Sequence, residues 1–188
     1  DGRSSGQDRH AVALGCLLGL NQPAVAESST NAAGMADSAI IQVRVQDDFA
    51  FVTAKIQWPA KKGQVLPLLQ EPAVLTGLSY ASNALQLVSS TANGKPSSEL
   101  VARKNGTFEL GLQYQLRIQS RDGESGFILP TQPGLINRLH LELVGQDMDL
   151  RAPTAVSVHR EPGTNGTVVD LVLSPVAGAW IGWKPRDR

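Results

Sequence analysis

Hydrophobic and polar residues alternate in short runs after residue 39, and this two-residue period predicts β-strands. The first two runs flank an acidic turn at Asp47-Asp48, so a hairpin is predicted there. Their apolar positions are Ile41, Val43, Val45, Ala50, Val52, Ala54, Ile56 and Trp58. The longest alternation extends from Phe108 to Ile118, and shorter ones cover residues 139–143 and 169–173. The chain therefore reads as a succession of half-buried strands.

Turn-forming dipeptides separate these runs. Asn-Gly occurs at Asn93-Gly94, Asn105-Gly106 and Asn165-Gly166, and Asp122-Gly123 is a fourth such pair. These dipeptides favour tight hairpins because both central residues of a type I′ turn need positive φ. We expect a hairpin at each of the four positions.

The overall pattern predicts an all-β domain. No run after residue 39 has a convincing helical stripe, and Pro72 and Gly77 disfavour a helix in the ambiguous segment 71–88. Short strands punctuated by turns are typical of an antiparallel β-sandwich, for which an immunoglobulin-like architecture is the first choice. We expect one domain over residues 39–188, with a two-lobed division near residues 122–125 as the alternative.

The N-terminal segment resembles a secretory signal peptide. Arg9 and His10 precede a ten-residue apolar run, and the small residues Ala24 and Ala26 follow. This layout predicts cleavage after Ala26 and export. The apolar run is too short to span a bilayer as a helix. Residues 1–26 are thus assigned to the signal peptide with its upstream segment, and residues 27–38 to a flexible linker.

Cys16 lies within the predicted signal peptide. Lipid anchoring there is disfavoured because the apolar run continues beyond the cysteine and the better cleavage site follows it. The predicted location is secreted, periplasmic or on the cell surface. The chain has 17 basic and 17 acidic residues, and this balance argues against nucleic acid and anionic lipid as partners.

Several stretches resemble the N-terminal β-rich region of long, uncharacterised, exported bacterial envelope proteins. In chain order they are "GQVLPLL" (63–69), "SELVARKNGTFELGL" (98–112), "PGLINRLHLELVGQDMDL" (133–150) and "AWIGWKPRDR" (179–188). The shared motifs are loose hydrophobic patterns, and no activity or site residue comes with the resemblance. It implies a larger parent protein that continues beyond Arg188.

Catalytic and metal sites find little support. His140 lies between two strand leucines and points to the polar face, and neither it nor His159 has a nucleophile motif nearby. Asp147 and Asp149 are weak calcium candidates, because calcium needs six to eight oxygens and these two provide few. We expect no enzyme activity, no cofactor and no bound metal.

Three tryptophans are the candidate ligand-binding residues. Exposed aromatic rings can stack on sugars, which makes Trp58, Trp180 and Trp183 the choices for a carbohydrate site. Trp58 also continues the apolar face of its hairpin, so it can cap the core. Trp180 and Trp183 are three residues apart, so a regular strand sends them to opposite faces, and only a bulge near Gly182 would align them.

The sequence therefore predicts a non-catalytic structural or interaction module of a larger exported envelope protein. Its expected partners are other domains of the same parent or other envelope proteins, and no membrane span is expected. The alternative is a carbohydrate-binding module that uses exposed tryptophans.

Overall fold

The computed structural model describes residues 38–69, 71–92, 94–131, 137–145, 147–163, 166–176 and 178–186. Fourteen β-strands and no helix occur in this part of the chain, which confirms the all-β class. The strands are β1 (Ser38–Gln46), β2 (Phe49–Ala60), β3 (Val65–Leu69), β4 (Val74–Ser79), β5 (Leu85–Ala92), β6 (Lys95–Ala102), β7 (Gly106–Arg117), β8 (Gln119–Arg121), β9 (Glu124–Leu129), β10 (Asn137–Val144), β11 (Met148–Arg151), β12 (Ala155–Gly163), β13 (Gly166–Leu173) and β14 (Ala179–Pro185).

Seven strands form the largest sheet, in the order β12-β13-β10-β1-β2-β7-β4. The predicted hairpin of β1 and β2 is confirmed: Val45 pairs with Ala50 across the turn, and Asp47 has a φ of 54°. Alternate residues of these strands are buried on one side of the sheet and exposed on the other. The two-residue period in the sequence is thus the period of burial.

One pairing departs from an entirely antiparallel arrangement. β1 lies parallel to β10, with Val43 opposite Leu141. A parallel neighbour requires a long crossover connection, and here the chain returns through eight intervening strands. The other strand pairs in the three sheets are antiparallel.

The remaining strands form a four-stranded sheet, β11-β14-β9-β8, and a three-stranded sheet, β3-β6-β5. Buried residues of all three sheets belong to one hydrophobic core, with Leu141, Phe127 and Leu100 as a representative from each. An antiparallel β-sandwich is confirmed. Each sheet has an apolar face, and it can bury that face only by packing against another layer.

The predicted turns have two outcomes. Asp122 and Gly123 both have positive φ and join the paired residues Arg121 and Glu124, as a type I′ hairpin requires. Hairpins also connect β5 with β6, where Gly94 has a φ of 77°, and β12 with β13.

The hairpin predicted at Asn105-Gly106 is wrong. Its flanking strands, β6 and β7, belong to different sheets. The Asn105 side chain instead accepts a hydrogen bond from the backbone N–H of Lys62 at 2.8 Å, which fixes the chain where it passes from one sheet to the other. The local dipeptide signals a turn but does not determine which strands the turn brings together.

The ambiguous segment 71–88 contains β4 and the beginning of β5 and no helix, as Pro72 and Gly77 indicated. The predicted signal peptide, Cys16 and the linker residues 27–37 lie outside the described residues. Ser38, the last residue assigned to the linker, already belongs to β1.

Candidate functional site

β14 places its two tryptophans on opposite faces of the four-stranded sheet. Trp183 is buried with Ala179 and Ile181, whereas Trp180 is only partly buried. The ring of Trp183 packs edge-on against Phe127 with 5.9 Å between centroids. The predicted separation of the two tryptophans is confirmed, because the strand keeps its regular alternation through Gly182. At 6% exposure, Trp183 has no free ring face for a ligand.

The indole of Trp180 lies across a pair of glycines. Gly126 of β9 and Gly182 of β14 are direct cross-strand partners. A Cβ on Gly126 would lie 2.7 Å from Trp180 Cζ2 and 2.4 Å from the carbonyl oxygen of Ile181. A Cβ on Gly182 would lie 2.6 Å from Trp180 Nε1. Only glycine permits this close approach, so one face of the ring is covered by backbone.

Charged residues flank Trp180 on the same outer face. The Arg121 guanidinium lies 5.7 Å from the centre of the indole ring, a cation–π contact. Glu124 is 12% exposed and accepts a hydrogen bond from Arg151 Nη1 at 3.0 Å. That hydrogen bond, together with the charge of Glu124, raises the pKa of Arg151 above its ordinary value. The result is an ordered surface with an aromatic ring, two guanidiniums and a carboxylate.

Trp58 is a core residue. It has no exposed surface, and its ring lies 6.3 Å from that of its cross-strand partner Phe108. The even alternation of β2 directs Trp58 inward with Ile56 and Ala54. The prediction that Trp58 binds a ligand is therefore corrected, because its ring offers no exposed face to a sugar. Its indole N–H has no hydrogen-bond acceptor within the described part of the chain.

Arginine side chains form ion pairs with both calcium candidates, Asp147 and Asp149. Arg160 of β12 forms ion pairs with Asp147 and Asp149, the second at 3.6 Å, and Arg186 lies 3.7 Å from Asp149. Arg160 donates a hydrogen bond to Asp147, and both guanidiniums lie beside carboxylate oxygens that a cation would need. Within the described ranges, no cluster of three or more His, Cys, Asp or Glu side chains is arranged to hold a metal ion.

His140, which was predicted to point to the polar face, and His159 both lie on the outer face of the seven-stranded sheet. Asp170 of β13 is the direct neighbour of His140 on one side and of His159 on the other. His140 Nδ1 lies 2.7 Å from Asp170 Oδ1, and both side chains are about half exposed. These residues line a groove of about 330 Å³ together with Arg138 and Ser157. The arrangement is a solvated cross-strand ladder.

A cleft of about 490 Å³ opens where the β1–β2 turn approaches the four-stranded sheet. Its wall includes Trp183 and Met148, and polar groups of Arg44, Asp47 and Asp48 line the same space. Its volume falls in the range of small-molecule sites. The sequence pattern did not predict this cleft, because it depends on how two sheets meet.

β12 is the feature that sequence reasoning missed. It forms one edge of the seven-stranded sheet, where β13 is its only partner among the described strands. Val156 and Val158 are 73% and 54% exposed, the first at a β-bulge next to Ala155. The signal was available in "AVSVHRE", residues 155–161, a short alternation with a charged end. An apolar strand edge open to solvent is a typical site of strand addition.

Comparisons with known proteins identify the fold alone. No family model and no curated protein sequence matches the chain. Among solved structures, it is similar to an M1 zinc metallopeptidase from Deinococcus radiodurans, with a TM-score of 0.53 and 12% identity over 80% of this chain. It is also similar to a mutant of a two-domain M1 zinc metallopeptidase bound to L-tryptophan, with a TM-score of 0.54 and 11% identity over 80% of this chain.

The chain spans less than half the length of these peptidases, 42% and 43% respectively. At this identity the likeness is one of architecture, and it carries no residue role from the peptidases to this chain. No helix in the described ranges is long and apolar enough to cross a membrane.

Proposed function

We propose that this chain is a non-catalytic interaction module of a larger exported cell-envelope protein. The observation that carries the proposal is the open edge of β12, with the exposed side chains of Val156 and Val158. An edge strand has a row of backbone N–H and C=O groups available for another strand. Apolar side chains beside that row add to the gain in free energy when a partner covers them.

The polar groups favour a binding role over chemistry. The Asp147 and Asp149 carboxylates are engaged by Arg160. His140 directs Nδ1 to Asp170, and neither residue lies in an enclosed site. General acid–base and nucleophilic catalysis need a positioned group within reach of a bound substrate, usually in a water-excluded pocket.

The comparisons support a module role by architecture. The similar solved structures are enzymes at least twice as long as the segment they share with this chain, and one is described as having two domains. A β-rich unit of this shape therefore occurs as part of larger proteins. The resemblance to exported envelope proteins, together with the predicted signal peptide, suggests that this module functions outside the cytoplasm.

A photo-crosslinking residue at position 158 tests the interaction role in the cells that produce the protein. We expect covalent adducts in the envelope fraction from a probe at Val158. A probe at Val74, an equally exposed valine on the opposite edge strand, serves as the matched control. Equal or absent labelling at the two positions would contradict the proposal.

Mass spectrometry of the protein recovered from those cells tests export. We expect a mature N-terminus at Glu27, after cleavage at Ala26. Recovery of an N-terminus upstream of Ala11, with the apolar run retained, would contradict export while leaving the role of β12 intact.

A second candidate function is carbohydrate binding at Trp180. Of the three tryptophans, this one retains solvent exposure on an ordered outer face beside Arg121 and Glu124. Displacement of the Arg121 side chain would free the outer side of the ring for a sugar. Gel retardation by immobilised polysaccharides, lost in Trp180→Ala and kept in Trp183→Phe, is the result that supports it. Unchanged mobility of the native protein across neutral and acidic polysaccharides would reject it.

A further inference from the structure

We infer that β12 pairs with β12 of a second copy of this chain, antiparallel and centred on Val158. This inference rests on the proposed interaction role and names the partner. It joins two seven-stranded sheets edge to edge, with a two-fold axis between the two Val158 residues. Two-fold symmetry presents the same surface on both copies, so the strand must be complementary to itself.

The pairing has few possible registers. Residues directly opposite in an antiparallel pair lie on the same face of the sheet. The two-fold axis must therefore pass midway between the two copies of one residue. The regular part of β12 begins after the bulge at Val156, and its central positions are Val158, His159 and Arg160. Each choice of axis brings that residue against its own copy.

Charge selects among the three registers. Centring on Arg160 places two guanidiniums opposite each other, and centring on His159 places two imidazoles opposite each other; like groups in direct opposition are destabilising when charged. Centring on Val158 pairs valine with valine and Ser157 with His159 of the second copy. Glu161 then lies towards the bulged end of the second copy's strand, where residues 154–157 are uncharged, so no like charges meet. Of the three registers, only this one places no like polar groups in direct opposition and covers the exposed Val158 side chain with its own copy.

Burial supports the same register. Val158 lies 54% exposed although its partner on β13, Leu171, is buried at 2% exposure. A second copy extends the apolar strip by one strand and covers both Val158 side chains. Arg160, held by Asp147 and Asp149, would lie opposite the bulged end of the second copy's strand, which carries no charged residue. The contact is small, so we expect a weak, concentration-dependent dimer.

Single-cysteine variants of the full chain, made in a Cys16→Ser background, test the register. In the inferred dimer the two residues at position 158 are directly opposite, with Cα atoms about 4.5–5.5 Å apart, a separation that permits a disulfide. The two residues at position 159 are displaced along the strands and lie about 8 Å apart, which does not. We expect Val158→Cys to form disulfide-linked dimers under mild oxidation, about tenfold more than His159→Cys.

A mixed experiment adds a positive control for the off-axis positions. Ser157 of one copy faces His159 of the other, so Ser157→Cys mixed with His159→Cys should form heterodimers that neither variant forms alone. Val74→Cys, on the edge strand β4, measures the rate of random collision. Thermal unfolding of each variant verifies that the exposed substitutions leave the fold intact.

The outcomes separate the inference from the proposed function. Val158→Cys that dimerises no faster than Val74→Cys overturns self-pairing, and stronger linkage through His159→Cys overturns the register centred on Val158. If the photo-crosslink at position 158 then yields an adduct with a different protein, the interaction role stands without the dimer. An adduct of twice the chain's mass supports both, and no adduct contradicts both.

Discussion

The two edge strands of the seven-stranded sheet use their apolar residues differently. At β4, Val74 is exposed, but Leu78 and the flanking residues Ala73 and Tyr80 pack against the hydrophobic core. Among the β12 side chains that the structure describes, only Ala155 does so, while Val156 and Val158 face solvent. Both strands carry a bulge, a common means of protecting an edge. The β4 edge is thus anchored by contacts with the core, whereas Val156 and Val158 on the β12 edge remain exposed to solvent.

The difference is sharpest between two directly paired residues. Leu171 and Val158 are cross-strand neighbours on the same face of the sheet, yet Leu171 is in the core and Val158 is not. The boundary of the core therefore lies between β13 and β12. This boundary predicts where substitutions affect folding and where they affect association only.

Leu171→Ala should produce the largest loss in stability. Removing a buried leucine side chain and leaving a cavity costs about 2–5 kcal/mol of unfolding free energy. Val158→Ala should change the monomer by less than about 0.5 kcal/mol, as surface substitutions usually do. Urea denaturation at low protein concentration measures both. Equal losses for the two variants would contradict a core boundary between these strands.

Gly126→Ala tests a covered surface, where Trp180 lies against the sheet. The added Cβ meets the Ile181 carbonyl oxygen and the indole ring, so we expect a loss of about 1–3 kcal/mol. Gly63→Ala is a control for backbone conformation, since its Cβ would meet no atom within 4 Å and its penalty comes from positive φ alone. Trp180→Ala relieves the ring contact but not the contact with the Ile181 carbonyl oxygen, so Gly126→Ala/Trp180→Ala should recover only part of the loss. A loss in Gly126→Ala no greater than that in Gly63→Ala would contradict close packing as the cause.

Tyr114 provides a pH test beside the anchored edge, because it pairs with Leu75 of β4. Burial raises the pKa of Tyr114 above its ordinary value of 10. Above pH 10 the unfolded chain loses this proton while the folded chain keeps it, so stability falls as pH rises, by up to about 1.4 kcal/mol per pH unit. Below pH 10 the group makes no contribution to the pH dependence.

Tyr114→Phe should remove this component of the alkaline loss. The unfolding free energies of the native protein and the variant are measured between neutral and strongly alkaline pH, and their slopes against pH are compared. The lysines contribute equally to both curves, so they do not affect the difference. Parallel curves above pH 10 would show that Tyr114 ionises as readily in the folded protein as in the unfolded chain, contrary to its burial in the core.

Arg121→Ala should have the smallest effect. Its guanidinium covers Trp180 at an exposed site, where a cation–π contact contributes about 0.5–1 kcal/mol. We expect a small loss in stability and stronger quenching of tryptophan fluorescence by iodide, because Trp58 and Trp183 are buried. Arg117→Ala, which removes an exposed arginine from another sheet, is the control. Unchanged quenching in Arg121→Ala would mean that Arg121 does not shield the ring.

Local alternation predicted much of the fold because strand burial has the same period as the sequence. The β1–β2 hairpin, the inward direction of Trp58 and the separation of Trp180 from Trp183 all follow from that period. The period does not determine which strands pair with each other. The parallel contact of β1 with β10 joins residues far apart in the chain, and Asn105-Gly106 has the same composition as a hairpin turn while connecting two sheets.

The candidate surfaces were harder to predict for a similar reason. Arg160 and Asp149 meet only after β12 and β11 are in place, so the acidic turn alone suggested a cation site. The Gly126–Gly182 pair beneath Trp180 depends on cross-strand register. Exposure of Val158 depends on which strand lies at the edge of the sheet, and a local apolar alternation is the same for an edge strand and a central one.

Hydrogen exchange of the two edge strands at low and high protein concentration tests the central claim most directly. Backbone amides of residues 157–161 should gain protection as concentration rises, because pairing of β12 with a second copy satisfies and covers its open edge. Amides of residues 74–79 in β4 should exchange at the same rate at both concentrations. Exchange in β12 that does not depend on concentration would contradict the self-pairing edge, and equal gains in both strands would point to non-specific association.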